Sequence, residues 1–348
     1  MRQICPNIYT IELKRPKILD IKNAFSAIVR NNSFIIARDH FNQMADAVKK
    51  ISNDIKPNII HIDHLQMAQY VNFIPNTFKF KTVLDNHNVE ADIIKRISER
   101  SDKLLHKLYA SIEWKKLQKY ELNICKRSSV VITVSDIDKK RLYSLDNTLK
   151  NLQTIPIGVD TEYFGKVKYN PQSNNILHIG TMYWPPNVDS MLYFYKSIYP
   201  LIKKQIPEST LTIAGQNPVN EIIKLSEDKS VNVTGYVDDI RTIAENCGVF
   251  IVPLRSGSGV RVKILNALAM GLPVVSTSIG AEGIDIEDKK HILLANSNHE
   301  FADAVVKLLE NKQFAKEIGD AGRKLVQEKY SWDIVGKKLI DLYNNLGN

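Results

Sequence analysis

Hydrophobic residues in the first half of the chain gather into short β-branched runs: NIIHID (58–63), KTVLDNH (81–87) and SVVITVS (129–135). The segments between them have a 3.6-residue apolar period, which predicts parallel strands joined by crossover helices. The second half repeats the scheme with NILHIG (175–180), TLTIAG (210–215), VNVTGY (231–236), GVFIVPL (248–254), LPVVST (272–277) and HILLAN (291–296). Such an order predicts a doubly wound parallel sheet. Between the halves, KVKYNPQSNN is polar and turn-rich, and the linker is placed there. From Glu300 the pattern is helical to the end, broken at YSW (330–332). The expected organisation is therefore an α/β domain over 1–165, a second over 170–330, and a terminal helix over 331–348 that crosses back to the first.

A long helix is expected from Ser101 to Arg127, with Leu104, Leu105, Leu108, Tyr109 and Ile112 on one side and Lys103, Lys107, Lys115, Lys116 and Lys119 around the rest. The favoured reading is a domain helix with a solvated lysine face; a membrane-surface helix is the alternative. Several strands of the second half end in glycine, at Gly180, Gly215 and Gly235. In open α/β sheets ligands bind beyond the carboxyl ends of the strands, where glycine admits close backbone approach. A ligand site is expected on that rim.

With 348 residues, 44% of them hydrophobic and 24% charged, the chain is large enough for two cores. No run of about 18 apolar residues predicts a membrane span, and the first residues lack the apolar core of a cleaved signal. Cys5, Cys125 and Cys247 form no CxxC, which favours free thiols and a cytoplasmic protein. The net charge of +9 is uneven: residues 1–168 hold 28 Lys and Arg against 18 Asp and Glu, and the remainder is nearly neutral. A basic half suits an anionic surface, such as the inner face of a membrane, or phosphorylated substrates. No nucleic-acid motif accompanies the charge.

The stretch RSGSGVRVKILNALAMGLPVVST (255–277) joins a glycine loop to a helix expected from near Val260. Backbone N–H groups and the positive dipole end then face outward together, as a phosphate cradle. Arg261 and Lys263 add charge, and Asn266 shares the face of Lys263. A departing diphosphate needs such neutralisation, because negative charge grows on it as its bond to carbon breaks.

Together with GTMYWPPNVDSMLYF, TLTIAGQNP, VTGYVDDIR, GAEGI, YSW, DNHNVEADIIKR, VITVSDID and IPIGVDTEYF, this stretch resembles the retaining group 1 glycosyltransferases of GT-B fold. The resemblance covers nearly the whole chain. It implies two Rossmann-like domains facing across a cleft, and transfer of a hexose from a UDP- or GDP-sugar to a saccharide or lipid-linked acceptor in surface polysaccharide assembly. Position by position, it places Arg261 and Lys263 at the diphosphate and the backbone of Gly257, Ser258, Gly259 and Val260 against phosphates and hexose. Gly180 and Thr181 would face the diphosphate, and Gly235, Tyr236 and Val237 would border the base. His87 matches the histidine that reaches the donor sugar. No cofactor and no metal are expected.

Two departures stand out. The family's pair of glutamates falls on Ser258 and Asn266, and the loop after Gly180 has Pro185, Pro186 and Asn187 where many relatives carry a cation. A neutral Asn266 weakens a ribose hydrogen bond by about 1 kcal/mol. The N-terminal domain also lacks, by expectation, its first strand and glycine-rich loop. These departures motivate the alternative of a catalytically impaired binding subunit; a sugar-nucleotide epimerase is more remote.

Strand alternation sends His61 and Asp63 to one face and His64 to the other, which argues against a metal at HIDHLQ. Asp238 and Asp239 are read as helix caps. Glu282 is the carboxylate close to the donor loop in sequence and a candidate sugar contact. Tyr183 and Trp184 near the WPP turn are read as packing residues, with flanking the ligand cleft as the alternative.

Overall fold

The computed structural model describes residues 5, 7–13, 23, 27, 31–100, 104–257 and 259–347, without the side chains of 97, 100, 105 and 106. The chain divides into two compact units, Met1–Thr154 with Leu342–Asn348, and Ile155–Asp341.

The first unit is a parallel sheet of β1 (Ile59–Asp63), β2 (Lys81–Asn86), β3 (Val130–Thr133) and β4 (Leu152–Thr154), side by side in chain order. Its helices include α1 (Phe34–Arg38), α2 (Asn42–Ile55), α3 (Glu90–Arg100), α4 (Leu104–Arg127) and α5 (Asp136–Leu145). Ile62, Leu65, Leu84, Leu117, Val131 and Leu142 make a dry core. Only β4 was not expected, because three residues are too few to show alternation. Ser101 and Lys103 of the expected long helix lie outside the described residues. That helix also departs from its expected packing: Leu104, Leu108, Tyr109 and Ile112 are exposed, by 79, 58, 52 and 53%. Periodicity marks a stripe but not whether anything covers it, and the faces that pack here are those of Ala110, Leu117 and Ile124.

One buried carboxylate organises the end of β2. Glu121 of α4 accepts hydrogen bonds from Asn86 Nδ2 at 3.0 Å, Glu90 N at 3.1 Å and Ala91 N at 3.2 Å. It thereby caps α3 and fixes the turn that carries His87. Burial raises its pKa to about 7, against the pull of those donors.

The second unit is a parallel sheet of β5 (Asn175–Ile179), β6 (Thr210–Ala214), β7 (Val231–Gly235), β8 (Val249–Val252), β9 (Val274–Ser276) and β10 (Leu293–Leu294). Its spatial order is β10-β9-β8-β5-β6-β7, the dinucleotide-fold arrangement in which the direction of winding reverses between β5 and β8. The central strands β5, β6, β8 and β9 are buried on both faces, as their continuous apolar runs require, whereas the edge strand β7 is partly exposed. Around them lie α6 (Pro185–Tyr193), α7 (Val262–Ala269), α8 (Asn298–Glu310) and α9 (Lys312–Lys329), and α10 (Trp332–Gly347) belongs to this unit as far as Asp341. Val167 is buried in this unit and Ser173 Oγ donates to Asn246 O, so KVKYNPQSNN is part of it; its polar turn residues clothe the outside of the sheet. YSW bonds to the IPIGV segment, with Val159 N donating to Tyr330 O at 2.7 Å and Trp332 N to Val159 O at 3.1 Å. Among the described residues no helix is long and apolar enough to cross a membrane.

Glu121→Ala leaves the Asn86 amide and two backbone N–H groups without their acceptor, so it should cost about 3 kcal/mol. Glu121→Gln, which keeps one acceptor, should cost less than half of that. Chemical denaturation of the two variants checks the ordering.

Candidate functional site

The winding reversal puts the loops after β5 and β8 side by side at the carboxyl rim. Three glycines shape the neighbouring strand ends. Gly180 N donates to Ala214 O at 2.9 Å and Gly215 N to Gly235 O at 2.8 Å. A Cβ on Gly215 would lie 1.6 Å from Gly180 O, so only glycine lets the two strand ends come this close. Gly235 has φ +70 and open space where a side chain would stand, with Tyr236 69% exposed beside it. Val237 follows on the same loop.

The helix after β8 starts at Val262, two residues later than expected, and Arg261 is its N-cap residue. With φ −87 and ψ 90, Arg261 is not yet helical, because Gly257 and Gly259 at φ +136 and +77 are still turning the chain. The Arg261 guanidinium folds back over the loop, Nη1 donating to Gly259 O at 2.9 Å. Gly257 has φ +136, which favours glycine, and a Cβ there would displace the Arg261 guanidinium from this fold-back. Val260 packs against the core below, and Ser258 lies outside the described residues.

Lys263 takes a different course. Its Nζ donates to Asn187 Oδ1 at 3.0 Å, lies 3.5 Å from His178 Nε2, and would be 2.5 Å from a Cβ on Gly180. The ammonium thus fills the place of the missing Gly180 side chain. Among the described residues no carboxylate pairs with it. Burial, and then the charge of Arg261, lower its pKa to about 7, so it is not the permanent full charge that the sequence suggested. His178 Nδ1 sits 2.9 Å from Ile251 O and must donate there, which leaves Nε2 a lone pair facing Lys263. The ring is wholly buried and held neutral, first by desolvation and then by the Lys263 charge.

Asn187, from the first turn of α6, also donates through Nδ2 to Thr181 O at 3.0 Å. It ties the loop after β5 to the lysine. Arg255 is taken up elsewhere, by a two-point contact with Asp189 and by the Tyr193 ring 4.5 Å away. Asn266 is half-buried on α7, one turn from Lys263. Glu282 is half-buried in the turn after β9, where Thr277 Oγ1 donates to Leu254 O at 2.6 Å and so holds that turn to the β8 loop. Asp239 caps the helix Ile240–Ala244 by accepting from Arg241 N at 3.0 Å, which satisfies the capping expectation. Tyr183 and Trp184, read as packing residues, are instead 51 and 56% exposed, because they stand on the turn before α6.

The rim of the second unit therefore gathers Gly180, Thr181, Gly257, Gly259, Arg261 and Lys263, and adds His178 and Asn187, which sequence reasoning missed. A histidine inside an apolar strand and an asparagine at a helix start are each unremarkable alone. The signal was the unusual polar interior of NILHIG.

In the first unit His87 stands just past β2, with Nε2 2.8 Å from Asp63 Oδ1. Its ring stacks on His64, centroids 4.1 Å apart, and His64 Nδ1 is 2.9 Å from the same Asp63 oxygen. The alternation argument fails at this point: His64 follows the strand with φ +72, and that turn swings its ring back beside Asp63. Asp63, His64 and His87 thus offer atoms within 4.8 Å of one another, a two-imidazole, one-carboxylate donor set. With the rings nearly parallel, an ion between them would lie out of both ring planes, so the arrangement as it stands suits a carboxylate held by two imidazoles. Burial opposes the Asp63 charge, but the two imidazoles outweigh it and lower its pKa.

Residues 173–311 match the family model described as Glycosyl transferases group 1. That stretch is therefore similar to a group 1 glycosyltransferase domain. An uncharacterized 44.6 kDa protein in the cps region of Klebsiella pneumoniae is 27% identical over 257 residues, covering 70% of this chain and 63% of that protein. The GDP-mannose-dependent alpha-(1-6)-phosphatidylinositol monomannoside mannosyltransferase of Mycobacterium tuberculosis is 27% identical over 239 residues, covering 62% of this chain and 61% of the relative. The chain thus spans about six-tenths of the length of these curated relatives. Sucrose-phosphate synthase from Thermosynechococcus elongatus shares the fold, with a TM-score of 0.69 at 17% identity over 88% of this chain and 77% of its own. The two parallel α/β units are those of the GT-B glycosyltransferase fold.

Lys263 folds at a cost. Its pKa falls from 10.5 to about 7, so between those values the unfolded chain binds the proton more readily, and stability drops as pH falls from 10 to 7. Lys263→Met should therefore stabilise the protein at pH 7 by about 2–4 kcal/mol, with no gain at pH 10.5. Thermal melts at the two pH values read this directly.

Proposed function

We propose that this chain is a retaining glycosyltransferase that moves a hexose from a UDP- or GDP-sugar to a saccharide or lipid-linked acceptor, in polysaccharide or glycolipid synthesis. The observation that carries the reading is the half-buried Lys263, whose ammonium is held by the neutral groups Asn187 and His178 at the winding reversal. A buried cation without an anion is costly, and a pyrophosphate is the anion that this rim would accept. Lys263 and Arg261 neutralise the charge that grows on the leaving diphosphate. Gly180 and Thr181 flank the same phosphates, and Gly257 to Val260 approach phosphates and sugar. Gly235, Tyr236 and Val237 border the base, Asn266 accepts from the ribose, Glu282 meets the sugar, and His87 recognises a sugar hydroxyl.

In a retaining transfer of this kind the bond from the anomeric carbon to the diphosphate oxygen breaks. The acceptor oxygen bonds to that carbon on the same face, and its proton passes to a donor phosphate oxygen. Positioning and charge neutralisation then do the chemical work, with no protein nucleophile, cofactor or metal required. An anionic membrane surface is the proposed setting for the acceptor, on the cytoplasmic side.

Asn266 favours a second reading, a binding subunit that keeps the donor site without turnover. The two separate cleanly, because the first predicts nucleotide release with a sugar donor and acceptor, and the second predicts donor binding without release. A panel of sugar nucleotides, tested by calorimetry and by nucleotide release with and without EDTA, decides between them. No binding of any donor would defeat both.

Bound diphosphate stabilises the charged amine, so donor affinity should fall by up to about tenfold per pH unit above pH 7. Lys263→Arg, whose guanidinium stays charged, should flatten that slope, and Lys263→Met should lose affinity at least tenfold at every pH below 7.

A further inference from the structure

The outward face of α4 sorts its residues by type. Leu104, Leu108 and Ile112 are spaced four apart and share one side of the first turns, with Tyr109 beside them, and all four are more than half exposed. Lys115 and Lys119 continue the same side into the following turns, and Lys107 and Lys116 flank it. The helix has two carboxylates, and both are turned into the protein. Glu113 accepts from Ser33 Oγ at 2.5 Å and Ile35 N at 3.0 Å, and Glu121 caps α3. What remains outside is apolar at one end and cationic at the other. Among the described residues none of these four lysines pairs with a carboxylate. On the adjoining α3, Lys95 is exposed, and its Nζ and that of Lys115 lie 5.5 and 5.9 Å from the Trp114 ring.

We infer that α4 docks the chain on an anionic bilayer, with Leu104, Leu108, Tyr109 and Ile112 among the acyl chains and Lys107, Lys115, Lys116 and Lys119 on the headgroups. Charge complementarity commits the partner: an apolar tip followed by unpaired cations fits a sheet of acidic lipid, where the cations gain from the surface potential and the leucines from leaving water. A protein partner would leave the exposed basic turns to find individual carboxylates. The inference rests on the proposed function only for placing the acceptor at a membrane, and its evidence is separate from the donor rim.

Sedimentation of the full chain with phosphatidylcholine vesicles, alone and with 30% phosphatidylglycerol, tests it. Binding to the acidic vesicles is expected, at least tenfold stronger than to the neutral ones, and weakened by 0.5 M NaCl. Leu108→Asp with Ile112→Asp should lower it at least tenfold, and Lys115→Glu with Lys119→Glu should remove the preference for acidic lipid. Nucleoside diphosphate binding should be unchanged in both pairs, which also reports their folding. Absent binding to acidic vesicles, or wild-type binding in the Leu108/Ile112 pair, overturns the inference. So does a wild-type dimer in sedimentation velocity that this pair converts to monomer without any vesicle binding. Lost donor binding in the wild type would count instead against the transferase reading.

Discussion

An ammonium buried among neutral groups is the constraint on which the second unit depends. Lys263 occupies the space that Gly180 leaves, bonds Asn187 and faces the lone pair of His178. Each partner is set by something further out: His178 by the carbonyl of Ile251, Asn187 by the first turn of α6, and Gly180 by its hydrogen bond to Ala214. The site is therefore built from the ends of β5, β6 and β8 at once, and no single loop could hold it. Gly215 belongs to the same construction, since any side chain there would drive the strand ends apart. Arg261 stands over the loop beside this centre and keeps its charge at all relevant pH values.

How much of this was legible follows from where each determinant lies. The strands were visible because β-branched runs bounded by glycine and turn residues signal buried parallel strands, and all but the three-residue β4 were anticipated. Arg261 and Lys263 were legible because they follow a glycine loop in sequence. Their different behaviour was not, since the depth of an amine depends on the glycine and histidine of a distant strand. His64 was assigned to the wrong face because alternation assumes extended backbone, and this residue has left it with φ +72. The stripe of α4 was visible as a period, but a period cannot say whether anything covers it.

The first unit shows the complementary arrangement. There the buried charges are carboxylates: Glu113 and Glu121 both point inward, and each holds neighbouring backbone in place. Glu121 links α4 to the turn that carries His87, so the outward cationic face and the imidazole cluster at the strand ends share one anchor. With both of its carboxylates turned inward, the outward face of α4 displays its lysines without acidic neighbours on the same helix.

Carbon-13 NMR of methylated lysines, assigned through Lys263→Met, measures the central claim most directly. The signal lost in Lys263→Met should titrate near pH 7 in the free protein and shift upward by at least one unit when a nucleoside diphosphate is added. A Lys263 signal that titrates near 10.5 and does not respond to nucleotide would contradict the account.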